Sequence, residues 1–373
     1  MYLEPWKPRR KRSAWPWVLS VIIAFSTAWS LYSRQTAILE AVRGPLPTPT
    51  PTEIGPAEHV AVGDSLFWEG RYDEALAEYR RATEQDPTMA DAYAKWARVL
   101  TVRRQSDEAV SLARRAVEID AESAPNLAIL GMALDWNGQA LEAIDRLTKA
   151  TSIDPDYAPA HAFLAEAYGD RGLVIQAREA VARAMELDPD DPFVRRNNGY
   201  ILEISGRYTE AIAEYDAAVA LNPNLAFLYH DLGRNYRALG DMEQAAYQFD
   251  RATQKDPADA TGHSQLAMVY FGQGAYDLAR SQLERAVEVD PQYASARSQL
   301  GLSLYVLKNY EEAIVQLNEA IALGARTEDN FYILGFCYAY LDQCTEARAA
   351  FEESLAINPL SDLARQGLNQ CAE

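Results

Sequence analysis

Residues 226–259 read AFLYHDLGRNYRALGDMEQAAYQFDRATQKDPAD. Leu232 and Tyr236 stand four residues apart, and Phe249 and Ala252 stand three apart, both spacings that keep side chains on one helical face. Gly240 breaks the pattern between the two stretches, and Pro257 ends the second. The segment therefore predicts two short antiparallel helices. Asp241 is placed to cap the second helix, with Gln244 three residues on completing a capping box.

The same 34 residues recur along the chain. Asp86-Pro87, Asp154-Pro155, Asp188-Pro189, Asn222-Pro223, Asp256-Pro257, Asp290-Pro291 and Asn358-Pro359 are separated by 34 residues or twice that, and the missing members fall at Asp120-Ala121 and Gly324-Ala325. Nine repeats thus fill 56–361 without an insertion. Counted from the start of each repeat, position 8 is always Gly or Ala (Gly63, Ala97, Gly131 and onward), and position 20 is always alanine, from Ala75 to Ala347. Position 24 is large in eight repeats, with Ala113 the exception. Small residues at 8 and 20 predict close helix crossing. No single pair can bury its faces alone, so stacking must make the core continuous. Residues 362–373 predict a capping helix in which Leu363, Ala364, Gly367 and Leu368 cover the last pair.

This pattern resembles the tetratricopeptide repeat (TPR) family over about 306 of the 373 residues. The family's Leu-Gly-x-x-Tyr core is matched by Leu232, Gly233 and Tyr236, and by Leu334, Gly335 and Tyr338. Its Ala, Phe, Ala, Pro set is matched by Ala245, Phe249, Ala252 and Pro257. The resemblance implies an all-α fold: a right-handed superhelical solenoid of antiparallel helix pairs, making somewhat more than one turn. It also implies a concave face, lined by the first helix of each pair, that grips a peptide or partner protein. One subset of the family clamps C-terminal carboxylates through Lys at position 5 and Asn at position 9. Here those positions hold residues such as Arg196 and His230, and Tyr200 and Arg234, so that clamp is absent.

In such arrays the concave face of repeats seven to nine would be apolar and aromatic: Met268, Phe271, Leu302, Tyr305, Tyr332, Ile333, Phe336 and Tyr340. Rigid aromatics among polar neighbours favour binding hot spots. Arg234 and Arg237 in repeat six add an expected anion contact. Together Arg234, Arg237, Met268, Phe271, Tyr305, Tyr332, Phe336 and Tyr340 form the expected partner-binding set.

Upstream of the repeats, residues 13–33 carry no charge and would span roughly 30 Å as a helix. With a basic tail at 1–12, they predict a single-pass transmembrane helix, a cytoplasmic N-terminus and an extracytoplasmic array in a cell envelope. A cleaved signal ending at Ser26-x-Ala28, with secretion, is the alternative. Residues 34–55 read as a helical stub followed by a Pro/Thr linker.

The chain carries 35 Lys+Arg against 54 Asp+Glu, a formal charge of -19. From position 56 onward the sum is -23, which repels phosphates and argues against nucleic acid as a partner. Four histidines lie in four different repeats, and no phosphate-loop, dinucleotide or metalloprotease motif occurs, so the sequence predicts no enzyme, no metal and no cofactor. Cys337, Cys344 and Cys371 cluster late. A Cys344–Cys371 disulfide is conceivable, and free packing thiols are an equal alternative. The functional expectation is a membrane-tethered protein-interaction scaffold. Its alternative is an assembly component acting through convex faces or self-association.

Overall fold

The computed structural model describes residues 15–43 and 54–371, all helix and connecting turns. The chain divides into two units, Met1–Ile54 and Gly55–Glu373. The first unit holds α1 (Trp15–Arg43). The basic tail at 1–12 and the linker from 44 to 53 lie outside the described residues.

The transmembrane helix expected over 13–33 needs correction. Among the described residues no helix is long and apolar enough to cross a membrane. α1 is 29 residues long, but length is not what it lacks. Its strongest apolar run, Val18–Phe25, is eight residues and already contains Ser20, whereas a span needs about 20 predominantly apolar residues. Ser26, Thr27, Ser30 and Ser33 follow, and the Ser26 and Thr27 hydroxyls donate to the Ile23 carbonyl at 3.0 and 2.9 Å. Membrane tethering, the membrane as a partner and the expected single-pass envelope topology fall with that helix.

The second unit is a right-handed solenoid of nine helix pairs: α2 (Pro56–Trp68) with α3 (Tyr72–Gln85), α4 (Ala90–Val102) with α5 (Ser106–Ile119), α6 (Ala124–Trp136) with α7 (Ala140–Ile153), α8 (Ala158–Asp170) with α9 (Val174–Leu187), α10 (Pro192–Ile204) with α11 (Tyr208–Leu221), α12 (Ala226–Ala238) with α13 (Met242–Lys255), α14 (Ala260–Gly272) with α15 (Tyr276–Val289), α16 (Ala294–Val306) with α17 (Tyr310–Ala322), and α18 (Glu328–Tyr340) with α19 (Cys344–Ile357). α20 (Asp362–Gln370) caps the end.

The repeat positions have distinct physical duties. A Cβ placed on Gly63, Gly131 or Gly233 would sit 2.3–2.7 Å from Tyr79, Leu147 or Phe249, so position 8 is the seat of the large residue at position 24. Where position 24 shrinks to Ala113, position 8 is Ala97, although Ala165 and Ala267 also face Val181 and Leu283. The position-20 alanines are fully buried throughout. At position 31 the Asp or Asn side chain accepts from the backbone N–H two residues on, as in Asp86 to Thr88 (2.9 Å) and Asp290 to Gln292 (2.9 Å). This Asx turn re-aims the chain before the next helix. At the turn between paired helices, position 15 is left-handed in every repeat, with Arg104, Lys308 and Asp342 taking φ near +60° where the glycine is absent. Asp241 accepts from the Gln244 N–H at 3.0 Å, but its own N–H goes to the Tyr236 carbonyl, so only half of the expected box forms.

More than one superhelical turn brings the start of the array against its middle. Arg103 forks onto Asp256 at 2.9 and 2.8 Å, with both side chains buried. Asn222 Nδ2 donates to the Trp68 carbonyl at 3.0 Å, and Asn224 Nδ2 donates to the same carbonyl at 3.5 Å. Gly70 lies so near Asn224 that an added Cβ would be 2.6 Å from its carbonyl oxygen.

At the other end, Cys344 and Cys371 form a disulfide that ties α20 to the start of α19. Ala364 and Gly367 are buried against the last pair, whereas Leu363 is 45% exposed and does not help to cover it. Opening this bridge by Cys344→Ser should cost about 2–4 kcal/mol. Urea unfolding with and without reductant checks this: reductant should lower the wild-type midpoint and leave the variant's unchanged.

Candidate interaction groove

The concave face of the first six repeats is largely packed by its own side chains, with a cavity of about 410 Å³ left beside Trp68, Arg98, Phe163 and Phe193. Phe193 stacks on Phe67 and Phe227 (centroids 6.4 and 5.3 Å) and meets Phe163 and Trp68 edge-on. Trp136 closes on Phe227 from the opposite side at 6.4 Å. Phe163, Phe193 and Phe227 are all buried. These rings come from five different repeats and meet because the superhelix is tight.

Beside them lies a buried ionic network. Arg196 Nε donates to Asp231 Oδ2 at 2.8 Å, and Nη1 donates to Glu166 and to Asn197 Oδ1. Glu166 also accepts from Trp136 Nε1 at 3.0 Å. Burial alone would raise the Asp231 carboxyl, but Arg196 and Arg234 hold it below the ordinary range. Asp135 is different: it is 3% exposed, and neither carboxyl oxygen has a hydrogen-bond partner. Burial first, then repulsion from Glu166 and Asp170, pushes its pKa up to about 9.

The arginines expected to meet an anion are engaged within the array. Arg234 binds Glu203 and Asp231, and Arg237 donates to Gln265 Oε1 at 3.0 Å. The four histidines are likewise held by neighbours: His59 by Glu78, His161 by the Pro155 carbonyl, His230 by Asp259 and His263 by Gln282.

Repeats seven to nine differ. Along α14, α16 and α18 the concave face stays open, with Met268 45% and Tyr340 49% exposed and Phe271, Leu302, Tyr305 and Tyr332 half-buried. Tyr340 stacks on Tyr310 (4.9 Å) and leans on Tyr305 (6.3 Å), so three tyrosines form one edge. Phe336 is the exception among the expected residues. It is 9% exposed and packs edge-on against Phe351 at 5.1 Å, making it part of the core beneath that edge. A cavity of about 560 Å³ between α16 and α18 is lined in part by Ser298, Gln299, Leu302, Asn330 and Ile333. A smaller one of about 170 Å³ lies between α14 and α16.

Sequence reasoning missed Gln299, Ser303 and Tyr310. Tyr310 carried a signal, since position 17 is also Tyr72, Tyr208 and Tyr276. The other two are ordinary polar residues that only the stacking of neighbouring repeats brings into the groove. Burial pushes the Cys337 thiol up to about 12, which keeps it protonated and unreactive.

Five sequence models described as tetratricopeptide repeats match this chain, over 63–100 and 199–236, 137–196, 220–292, 264–330 and 329–361. No curated protein sequence matches it. Among solved structures it is similar to "APC/C hetero-tetramer Cut9-Hcn1", at 19% identity and a TM-score of 0.61, over 81% of this chain and 60% of that one. It is also similar to "YrrB: a TPR protein with an unusual peptide-binding site", at 25% identity and a TM-score of 0.46, over 51% of this chain and 98% of that one. The first likeness establishes the fold, and the chain spans about 60% of that relative's length.

Proposed function

The chain belongs to the tetratricopeptide-repeat family, and from that premise we propose that it is a protein-interaction scaffold whose concave face over repeats seven to nine holds a peptide or the edge of a partner protein. The architecture is that of a scaffold and not of an enzyme. The supporting observation is the contrast along one continuous face. In the first six repeats the groove is occupied by the array's own aromatic rings, whereas α14, α16 and α18 leave Met268, Phe271, Leu302, Tyr332 and Tyr340 accessible. Solvent-accessible aromatic and thioether groups held on rigid helices lose little entropy when a partner covers them.

Tyr332→Ala and Tyr340→Ala should each weaken partner binding by about tenfold while the variants stay folded at the titration temperature, with a lowered melting transition because Tyr332 packs on the core and Tyr340 stacks on Tyr310. Phe336 is not a clean probe, because its loss would also damage the core. Partner proteins cross-linked to the array, then titrated against wild type and both variants by calorimetry, provide the measurement. Equal affinities for all three would remove the groove from consideration.

A further inference from the structure

The cavity of about 560 Å³ between α16 and α18 lies where one joint of the array departs from the others. Eight of the nine repeats close an Asx turn with Asp or Asn at position 31, but repeat eight has Gly324 there. α17 is 13 residues long where every other second helix is 14, and Gly324 takes φ +99°. Asn330 holds the altered loop, donating to the Ala325 carbonyl at 2.7 Å and to Ser298 Oγ at 2.8 Å. Asp329 is the one charged residue lining the cavity. It is exposed, so a ligand reaches it without rearrangement. The pKa of the Tyr332 phenol is raised by burial first and then by the Asp329 charge, which sets Asp329 beside a tyrosine of the open face. Nearby cations are committed elsewhere: Arg326 to Glu353 at 2.8 Å, and Arg297 to Glu319 and to Gln316. Among the described residues Asp329 forms no ion pair.

The open face as a whole lacks cations. In repeats one to six the array's own arginines cover its aromatic rings, as Arg98 does Phe67 (4.1 Å), Arg196 Trp136 (4.9 Å) and Arg251 Tyr229 (5.0 Å). Among the described residues no cation lies over Tyr305, Tyr310, Tyr332 or Tyr340. We propose that the cavity takes an arginine side chain of the partner segment, its guanidinium paired with Asp329 and its aliphatic stem lying on Leu302 and Ile333; the proposal rests on the groove reading above. Between 260 and 361 there are 13 acidic and six basic residues, which steers a basic segment toward this end of the array. A carboxylate or phosphate would meet Asp329 with like charge, and a neutral side chain would leave it unpaired.

The test uses the full chain with methyl-labelled isoleucine, following the Ile333 resonance during titration with capped Ala-Ala-Arg-Ala-Ala and with its citrulline version, the neutral isostere. The arginine peptide should shift Ile333 and bind about fivefold more tightly than the citrulline peptide. Its lysine version should bind more weakly than arginine, because an ammonium offers no planar fork. Asp329→Asn should bring arginine and citrulline within about twofold while leaving citrulline binding unchanged. Asp277→Asn, which neutralises an exposed carboxylate on α15, should keep the preference intact and so separates a local pair from general attraction to an acidic array. A silent Ile333 resonance, equal affinities for arginine and either of its replacements, a preference that survives Asp329→Asn, or one lost in Asp277→Asn would each overturn the proposal. Because the peptides need no partner protein, the two readings fail separately. A partner indifferent to Tyr332→Ala and Tyr340→Ala sinks the groove reading, whereas loss of arginine selectivity sinks only the arginine assignment.

Discussion

Arg196→Met is expected to cost the array about 3–5 kcal/mol, the largest loss of any single substitution outside the aromatic core. The methionine fills a similar volume, so the cost is electrostatic. Glu166 and Asp231 are 5% and 2% exposed, and both depend on this guanidinium. Two carboxyls left in a dry interior must either protonate or draw water inward. Adding Glu166→Gln and Asp231→Asn to Arg196→Met should restore most of the stability, since a neutral set in place of a buried ionic one is often tolerated. Urea unfolding of the three proteins at pH 7 reads both effects. A loss below about 1 kcal/mol for Arg196→Met would show that water already reaches the network.

Asp135→Asn should act in the opposite direction and with a pH signature. The folded carboxyl titrates near 9, far above the roughly 4 of an unfolded aspartate, so folding takes up a proton between those values. The favourable contribution is complete below about pH 4 and declines by about 1.4 kcal/mol per pH unit until the folded group ionises. Asparagine has no proton to take up. The stability difference in the variant's favour should therefore widen by up to about 4 kcal/mol from pH 5 to pH 8. Denaturation midpoints across that range provide the check. Parallel curves for the two proteins would mean that Asp135 is ionised in the folded array.

Much of the fold was legible because its determinants are local and repeated. Position 8 against position 24, the buried alanine at 20 and the Asx turn at 31 each act within one repeat or between neighbours, so nine copies reinforce one reading. The N-terminal segment misled because absence of charge is not density of apolar surface: Ser20, Ser26, Thr27, Ser30 and Ser33 are uncharged and still polar. The groove was legible only in part. Which stretch of concave face stays open depends on the pitch of the superhelix, a property of the stack and not of any repeat. Phe193 and Tyr332 are both aromatic residues of first helices, yet the first is enclosed by rings from repeats one, four and six, while the second is only half-buried. Arg234 offered no hint that Glu203 and Asp231, from separate helices, would claim it.

The contact between Arg103 and Asp256 joins residues 153 positions apart, four and a half repeats. Tandem arrays commonly change length by duplicating or losing whole units, and most of this one can register such events only at a loss. A unit gained or lost between the second and fifth repeats would carry Asp256 past Arg103 and uncouple Asn222 from Trp68. Among the described residues no hydrogen bond or ion pair of that span starts beyond Asp256, so a change in repeat number where the open aromatic face lies would break none of these contacts. The closed turn is thus a fixed base, and the last three repeats are the part on which new specificities can be tried.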